Sequence, residues 1–423
     1  MSPTAACDCQ PAGLSRRRFL QGVAATGLLA GLSGPLLSTR LAFADTGTAY
    51  TGDVLVVLSF RGGFDGLSAI VPAGDPGYVA ARPNIAIPAS QLLAAGSMFG
   101  LHPALSPLLP YWQAGTFGAV HAVGQIDPSR SHFTSLEEME RAAPGTSLRT
   151  GWLDRTLGLR GLGTTFQAAQ LGSTLAAPSL AGPAPEIAMY DVDGFALDGE
   201  ASINARRIAA LRTVYAAATP TLAAPAAIAM NALDTTAALK AAGYTPANGA
   251  TYADNELAKA LREVARLIKA GVGLQVACVD YGDWDMHSGL GAPATGNWMY
   301  DQLTVVAGAL AAFAQDLGAG LDGVTLVTLS EFGRRVGENG SGGVDHGHGN
   351  AVLLLGGGVV GGQVHGPWPG LADTDLDQGD VRGVTDYRSV LGEILQARCG
   401  AGSLSGVFPG FTATPLGVVR PRA

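Results

Sequence analysis

The chain has 423 residues, 47% of them apolar, and a formal charge of −8. That apolar share supplies a sizeable core, and an acidic chain with no cluster of Lys and Arg after residue 44 offers no grip there on a nucleic-acid backbone. Only four cysteines are present, two of them at Cys7 and Cys9, which excludes a disulfide framework.

The amino terminus reads as an address. Ser15-Arg16-Arg17-Arg18-Phe19-Leu20 is a paired-arginine block, followed by a weakly apolar stretch from Val23 to about Leu37 and by the small-x-small pattern Ala42-Phe43-Ala44. The apolar run is shorter and richer in glycine than the roughly 20 strongly apolar residues a spanning helix needs. Residues 1–44 are therefore expected to be a twin-arginine signal peptide. The twin-arginine translocase would deliver the folded chain to the periplasm or beyond. No Cys follows the run, so no lipoprotein anchor is expected. Residues 45–423 hold 22 basic and 33 acidic residues, a charge of −11. They are expected to form a single α/β domain without a membrane span.

The mature chain opens with the apolar run Asp53 to Phe60, a buried parallel strand that stops at Arg61-Gly62-Gly63-Phe64-Asp65-Gly66. A second strand, Phe117 to Val123, empties into Asp127-Pro128-Ser129-Arg130-Ser131-His132-Phe133 and a helix from Leu136 to Ala143, which Ser131 or Thr134 is placed to cap. Residues 157–252 are rich in Ala, Thr, Pro and Gly and contain no histidine. They read as a peripheral excursion of helices and loops, placed to cap the site. A helix from Asp254 to Lys269 then precedes the strand Leu274 to Val279, which ends at Asp280-Tyr281-Gly282-Asp283-Trp284-Asp285-Met286-His287. A helix from Tyr300 to Leu317 precedes the strand Val324 to Leu329, which ends at Ser330-Glu331-Phe332-Gly333-Arg334, and the strand Ala351 to Leu355 follows. This alternation predicts a mostly parallel sheet with helices on both faces, with ligands bound beyond the strands' carboxyl ends.

The polar residues gather at those ends. Asp65, the Ser131-His132 loop, Asp285-x-His287 and Glu331 follow four strands, and Asp345-His346-Gly347-His348 precedes a fifth. Of seven histidines, four (His132, His287, His346 and His348) lie in these loops, which is the reason to expect one shared site. Carboxylates with imidazoles suit Zn, Mn or a similar divalent ion, which polarises an oxyanion and activates an oxygen nucleophile; calcium would not need the imidazoles. Arg61, Arg130 and Arg334 flank the cluster. They are placed either to grip an oxyanion in a bidentate fashion or to pair with the excess carboxylates.

Several motifs in order resemble the family called domain of unknown function 1501. They are Arg61-Gly62-Gly63-x-Asp65-Gly66-Leu67, His102-Pro103, Arg130-Ser131-His132-Phe133, Trp284-Asp285-x-His287, Glu331-Phe332-Gly333-Arg334 and Asp345-His346-Gly347. That family is typically twin-arginine exported and is grouped with the alkaline phosphatase and sulfatase superfamily. The resemblance implies an alkaline phosphatase-like, three-layer α/β/α sandwich with a metal cluster at the strand ends. It places Asp65 and Ser131 with one metal and Asp285 and His287 with a second. For the remaining ligands two alignments stand: Asp345 with His346, or Glu331 with His346 and His348.

Two departures qualify the transfer. The mature chain has no Cys-x-Pro-x-Arg, so the formylglycine route of sulfatases is not open to it, and Asp285-x-His287 is tighter than the Asp-x-x-x-His spacing that Asp283 would restore. Gly356-x-Gly358-x-x-Gly361 matches a dinucleotide loop in form only, because Pro367 and Pro369 follow where a helix should; a hairpin turn is expected. His102 is placed either to close the site or to cap a helix. Cys278, in a strand-like run, is expected to be a buried thiol, with a bridge to Cys399 as the alternative. The function expected is an exported metal-dependent hydrolase of phosphate or related esters, acting on a small-molecule or glycan ester. Ser131 would be the nucleophile, with Arg130 and Arg334 at the oxyanion. The competing class is a non-catalytic exported binding or assembly protein that keeps the fold.

Overall fold

Strand β1 (Val54–Phe60) shows why the chain must form layers. Val56, Leu58 and Phe60 belong to one apolar cluster, whereas Leu55 and Val57 belong to another. Successive side chains of a strand point to opposite faces, so a strand apolar at every position is stable only when both faces are covered. The computed structural model describes residues 50–160 and 163–422. The arginine block and the Ala42-Phe43-Ala44 pattern lie outside the described residues.

Further strands are β2 (Ile70–Val71), β3 (Gly100–Leu101), β4 (Phe117–Gly124), β5 (Ala168–Leu171), β6 (Ile187–Met189), β7 (Val276–Tyr281), β8 (Val324–Leu329), β9 (Asn350–Gly356), β10 (Val364–His365) and β11 (Thr385–Asp386). β2 and β3 pair as a small antiparallel ribbon, and the rest form one sheet in the order β10-β4-β9-β8-β1-β7-β5-β6, with β11 beside β4. All pairings in this sheet are parallel except those of β9, which runs against both β4 and β8.

The helices Glu256–Ala270 and Trp298–Leu317 cover one face of the sheet, and Trp152–Gly158 and Tyr387–Ala397 cover the other. The expected three-layer α/β/α sandwich is therefore present. Local chemistry sets the ends of Glu256–Ala270: the Asn255 side chain accepts from the Ala258 amide, and Gly271 takes the left-handed conformation at the C-terminus. Among the described residues two helices, Pro220–Ala242 and Trp298–Gly323, are long and apolar enough to cross a membrane by length and composition. Over Trp298–Leu317 the second is a core helix, with Leu303, Val306, Leu310 and Phe313 buried against the sheet.

Two expectations need correction here. Residues 157–252 are not wholly peripheral, because β5 and β6 extend the central sheet next to β7. Their short sequences carry little strand propensity, and pairing of β5 with β7 and of β6 with β5 makes them strands. The glycines after β9 do not make a hairpin: β9 and β10 lie on opposite sides of β4, so the chain passes around the end of that strand. Cys278 is the buried thiol expected, and it and Cys399 are separate; burial raises the pKa of each, Cys399 to about 12.

Candidate metal centre

Since β9 is reversed, its amino-terminal end lies at the same sheet edge as the carboxyl ends of β1, β4, β7 and β8. That single fact brings together loops from four separate parts of the sequence: those after β1, β4 and β7 and the one between β8 and β9. Gly62, in the loop after β1, donates its amide to Glu331 Oε1 at 2.9 Å. Its φ is +117° and a Cβ there would lie 2.9 Å from the Asp285 amide nitrogen, so only glycine lets the β1 and β7 loops approach this closely.

Three imidazoles and a carboxylate converge at this edge. His346 Nε2 lies 2.9 Å from His287 Nε2 and 3.1 Å from His132 Nε2. Asp285 Oδ1 lies 3.1 Å from both His346 Nε2 and His287 Nε2, and Asp285 Oδ2 lies 3.6 Å from His132 Nε2. Donor atoms of His132, Asp285 and His346 all fall within 4.8 Å of one another.

The opposite ring nitrogens explain why the Nε2 atoms meet. Each Nδ1 faces an oxygen: His132 faces Glu331 Oε1 at 2.8 Å, His287 faces Asp345 Oδ1 at 2.9 Å, and His346 faces the Arg130 carbonyl at 2.8 Å. A carbonyl or carboxylate can only accept, so each Nδ1 carries its hydrogen and a neutral ring presents an Nε2 lone pair inward. Three lone pairs aimed at one another repel unless a cation or a shared proton lies among them. The arrangement fits a divalent ion. Bonds of about 2.0–2.1 Å to tetrahedral nitrogen ligands put those nitrogens slightly more than 3 Å apart, and histidine ligands held by an oxygen at the far nitrogen are the usual pattern.

Asp285 is anchored from behind. Arg334, wholly buried, donates to Asp285 Oδ1 at 2.6 Å, to the carbonyls of Gly63, Trp284 and Val344 at 2.6–3.1 Å, and to the carbonyl of Gly62. Partial burial alone would raise the Asp285 carboxyl, but Arg334, joined by His346 and His287, holds the group below the usual carboxylate range. The hydrogen bond from His287, seconded by Asn339, lowers Asp345 in the same way. The centre is open to water, with side-chain exposures of 47% for Asp285 and 44% for His287.

Asp285, His287 and His346 therefore meet, whereas other candidates take different places. Glu331 and Asp345 hold histidine rings from behind instead of facing the centre. Asp65 is not part of it: both carboxylate oxygens are taken by buried Arg82, at 2.6 and 3.0 Å, and Ser68 donates at 2.5 Å. Burial would raise Asp65, yet these partners lower it. His348 turns away, its Nε2 donating to the Gln125 carbonyl at 2.9 Å. Asp283 accepts from Gln302 instead.

The arginines also depart from the oxyanion role. Arg130 pairs with Asp380 at 2.6 Å, Arg61 with Glu140 and Asp280 at 2.7 and 2.8 Å, and Arg334 is enclosed as described. Each of these three guanidiniums is paired with a carboxylate of the chain. Ser131 occupies the N-cap position of the helix His132–Arg141 but makes no capping bond from its side chain; it is exposed, and its amide donates to Ser129 Oγ. His102 is a helix cap, with Nδ1 accepting from the Ala104 amide at 3.1 Å. His132 was placed in the right loop by sequence but given no ligand role. The available signal was its position directly after Ser131 at a strand-to-helix turn.

A family model described as "Protein of unknown function (DUF1501)" matches residues 114–383. No curated protein matches the chain. Among solved structures, similarity extends to the integral membrane protein lipooligosaccharide phosphoethanolamine transferase A from Neisseria meningitidis, at 12% identity and a TM-score of 0.30 over 81% of this chain. This chain spans 56% of that protein's length. The soluble domain of the same transferase is similar at 12% identity and a TM-score of 0.27, covering 75% of this chain and 83% of that one. At such scores the three-layer assignment rests on strand order and helix placement alone.

Proposed function

Because the chain belongs to the DUF1501 family of proteins of unknown function, we propose for it a biochemical role: an exported, metal-dependent hydrolase of phosphate or related esters. The observation that carries this reading is the convergence of the His132, His287 and His346 Nε2 atoms on Asp285, each ring fixed by an oxygen at Nδ1. These four side chains would hold the ion, and the imidazole-rich donor set suits Zn first and Mn second. A bound divalent ion supplies Lewis acidity toward an ester oxygen.

The remaining parts belong to the chain. Glu331, Asp345 and the Arg130 carbonyl keep the rings in register, and Arg334 keeps Asp285 ionised and in place. Ser131 is the nucleophile we assign. Its hydroxyl is exposed beside His132, and the amides at the start of His132–Arg141 favour negative charge developing near it. Export through the twin-arginine route completes the proposal and is supported by the arginine block at residues 15–20.

One observation favours a second reading, a non-catalytic exported protein that uses the ion for stability. Arg61, Arg130 and Arg334 are all engaged by the protein's own carboxylates, so none is left to neutralise an oxyanion. The test is to load the purified protein with Zn or Mn, assay a panel of aryl phosphate and phosphonate esters, and repeat after chelation. Hydrolysis that disappears with the metal supports the first reading. A lower melting temperature with no hydrolysis at any metal loading supports the second.

A further inference from the structure

Gln125 directly follows β4 and is buried. Its carboxamide reaches two main chains that meet at the metal centre: Nε2 donates to the Ser135 carbonyl at 2.7 Å and to the Glu331 carbonyl at 3.1 Å. Ser135 stands in the first turn of the helix that begins at His132, and the Glu331 carboxylate accepts from His132 Nδ1 at 2.8 Å. One NH2 group therefore joins the backbone that carries an imidazole to the backbone that carries its carboxylate. Both acceptors are carbonyl oxygens, so the amide has one orientation here; turned over, Oε1 would face two other acceptors.

Gln125 is itself held. Its carbonyl accepts from His348 Nε2 at 2.9 Å, and His348 Nδ1 accepts from the Gly383 amide at 3.4 Å. His348, which turns away from the centre, thus secures the residue that ties two of its parts together. Apart from those of the His132 ring, no other hydrogen bond among the described residues joins residues 132–135 to any residue outside 129–141. Glu140 pairs with Arg61 at 2.7 Å, but that tie lies about two turns further along the helix. The ring of His132 moves with the first turn, and metal–nitrogen bonds of about 2.0–2.1 Å leave little room for such movement.

We infer that Gln125 is a positioning residue of the metal centre. It fixes the first turn of the helix against the loop after β8, so that His132 Nδ1 stays on Glu331 and Nε2 stays aimed at the ion. The inference rests on the reading of His132, Asp285, His287 and His346 as a metal site. The test is a double-variant cycle on zinc affinity, measured by competitive titration of the full protein. Gln125→Met keeps the length of the side chain and removes both donors. In otherwise native protein it is expected to weaken zinc binding about 10-fold, the usual effect of losing an outer partner of a ligating histidine.

In His132→Ala, which keeps three of the four donors but has no ring left to place, the same change is expected to shift affinity by less than about 2-fold, because residues that act through one another are not additive. A general loosening of the fold would instead weaken binding by the same factor in both backgrounds. If Gln125→Met does not fold, Gln125→Asn replaces it, retaining the amide but losing the reach, with the same outcome expected. Unchanged zinc affinity in the single variant, or equal losses in both backgrounds, overturns the positioning role and leaves the metal centre standing. If the native protein does not bind zinc, the reading of the centre fails and the positioning role falls with it.

Discussion

His132 donates from Nδ1 to Glu331 Oε1 at 2.8 Å and thereby turns its Nε2 toward His346 Nε2, 3.1 Å away. Glu331 is buried and also accepts from the Gly62 amide, so the carboxylate is fixed from two directions. Glu331→Gln is therefore expected to weaken zinc binding by about 10-fold to 100-fold with little change in fold, as the loss of such an outer partner usually does. His346→Ala, which removes a ring central to the cluster, is expected to weaken it more. Competitive zinc titration checks the order. Equal affinities in the wild type and His346→Ala would remove the case for a metal centre.

Arg334 separates structure from catalysis. A buried guanidinium surrounded by protein acceptors is expected to cost roughly 3–5 kcal/mol of stability when truncated, because Asp285 and several carbonyls lose their partner. Urea unfolding of Arg334→Ala should show that loss together with weaker zinc binding. A variant of normal stability that has lost only ester hydrolysis would return Arg334 to the oxyanion role.

Ser131→Ala is expected to leave stability nearly unchanged, because the hydroxyl makes no capping bond and the cost of about 1 kcal/mol for losing a true N-cap does not apply. Zinc content should also be normal, with hydrolysis of an aryl phosphate reduced by orders of magnitude. Full hydrolysis in this variant would make Ser129 the next serine to test.

His121 predicts a pH effect remote from the centre. It is buried, with Nε2 donating to the Ile70 carbonyl at 3.1 Å and Nδ1 accepting from the Ala122 amide at 2.9 Å. The bond from Ala122 requires the neutral ring, and burial lowers its pKa to about 4. The unfolded chain therefore takes up a proton near the ordinary pKa of about 6.5 while the folded chain does not, and stability falls as pH drops from about 6.5 toward 4. Between pH 7 and 5 this one residue is expected to remove about 2 kcal/mol. Unfolding of His121→Gln alongside the wild type at both pH values measures it; equal slopes would rule the residue out as the source.

Replacing Arg16 and Arg17 with Lys is expected to strand the precursor inside the cell, since the pathway reads both guanidinium groups. Fractionation and immunoblotting would check this, and normal export of the double variant would defeat the localisation proposal.

Much of the fold was legible in the sequence because buried parallel strands are continuous apolar runs. Val324–Leu329 was bounded correctly, and β1, β4, β7 and β9 were each placed to within about two residues. β5 and β6 were missed because their short sequences become strands only by pairing, β5 with β7 and β6 with β5. The loops that build the centre were also legible, since polar residues crowd the strand ends. Their division of labour was not: Asp285 and Asp345 are the same residue type, yet one faces the imidazoles directly and the other holds a ring from behind.

The sequence by itself determined that acidic and imidazole groups would meet at one edge of an α/β sheet, because strand order along the chain and the polarity of strand ends are local properties. Only the tertiary structure decided which atoms face inward. The reversal of β9 brings His346 to the same edge as His132 and His287, and buried Arg82 claims Asp65 before it can join them. Those outcomes depend on which carboxylate finds which distant cation when the layers close, and nothing in the spacing of residues along the chain carries that information.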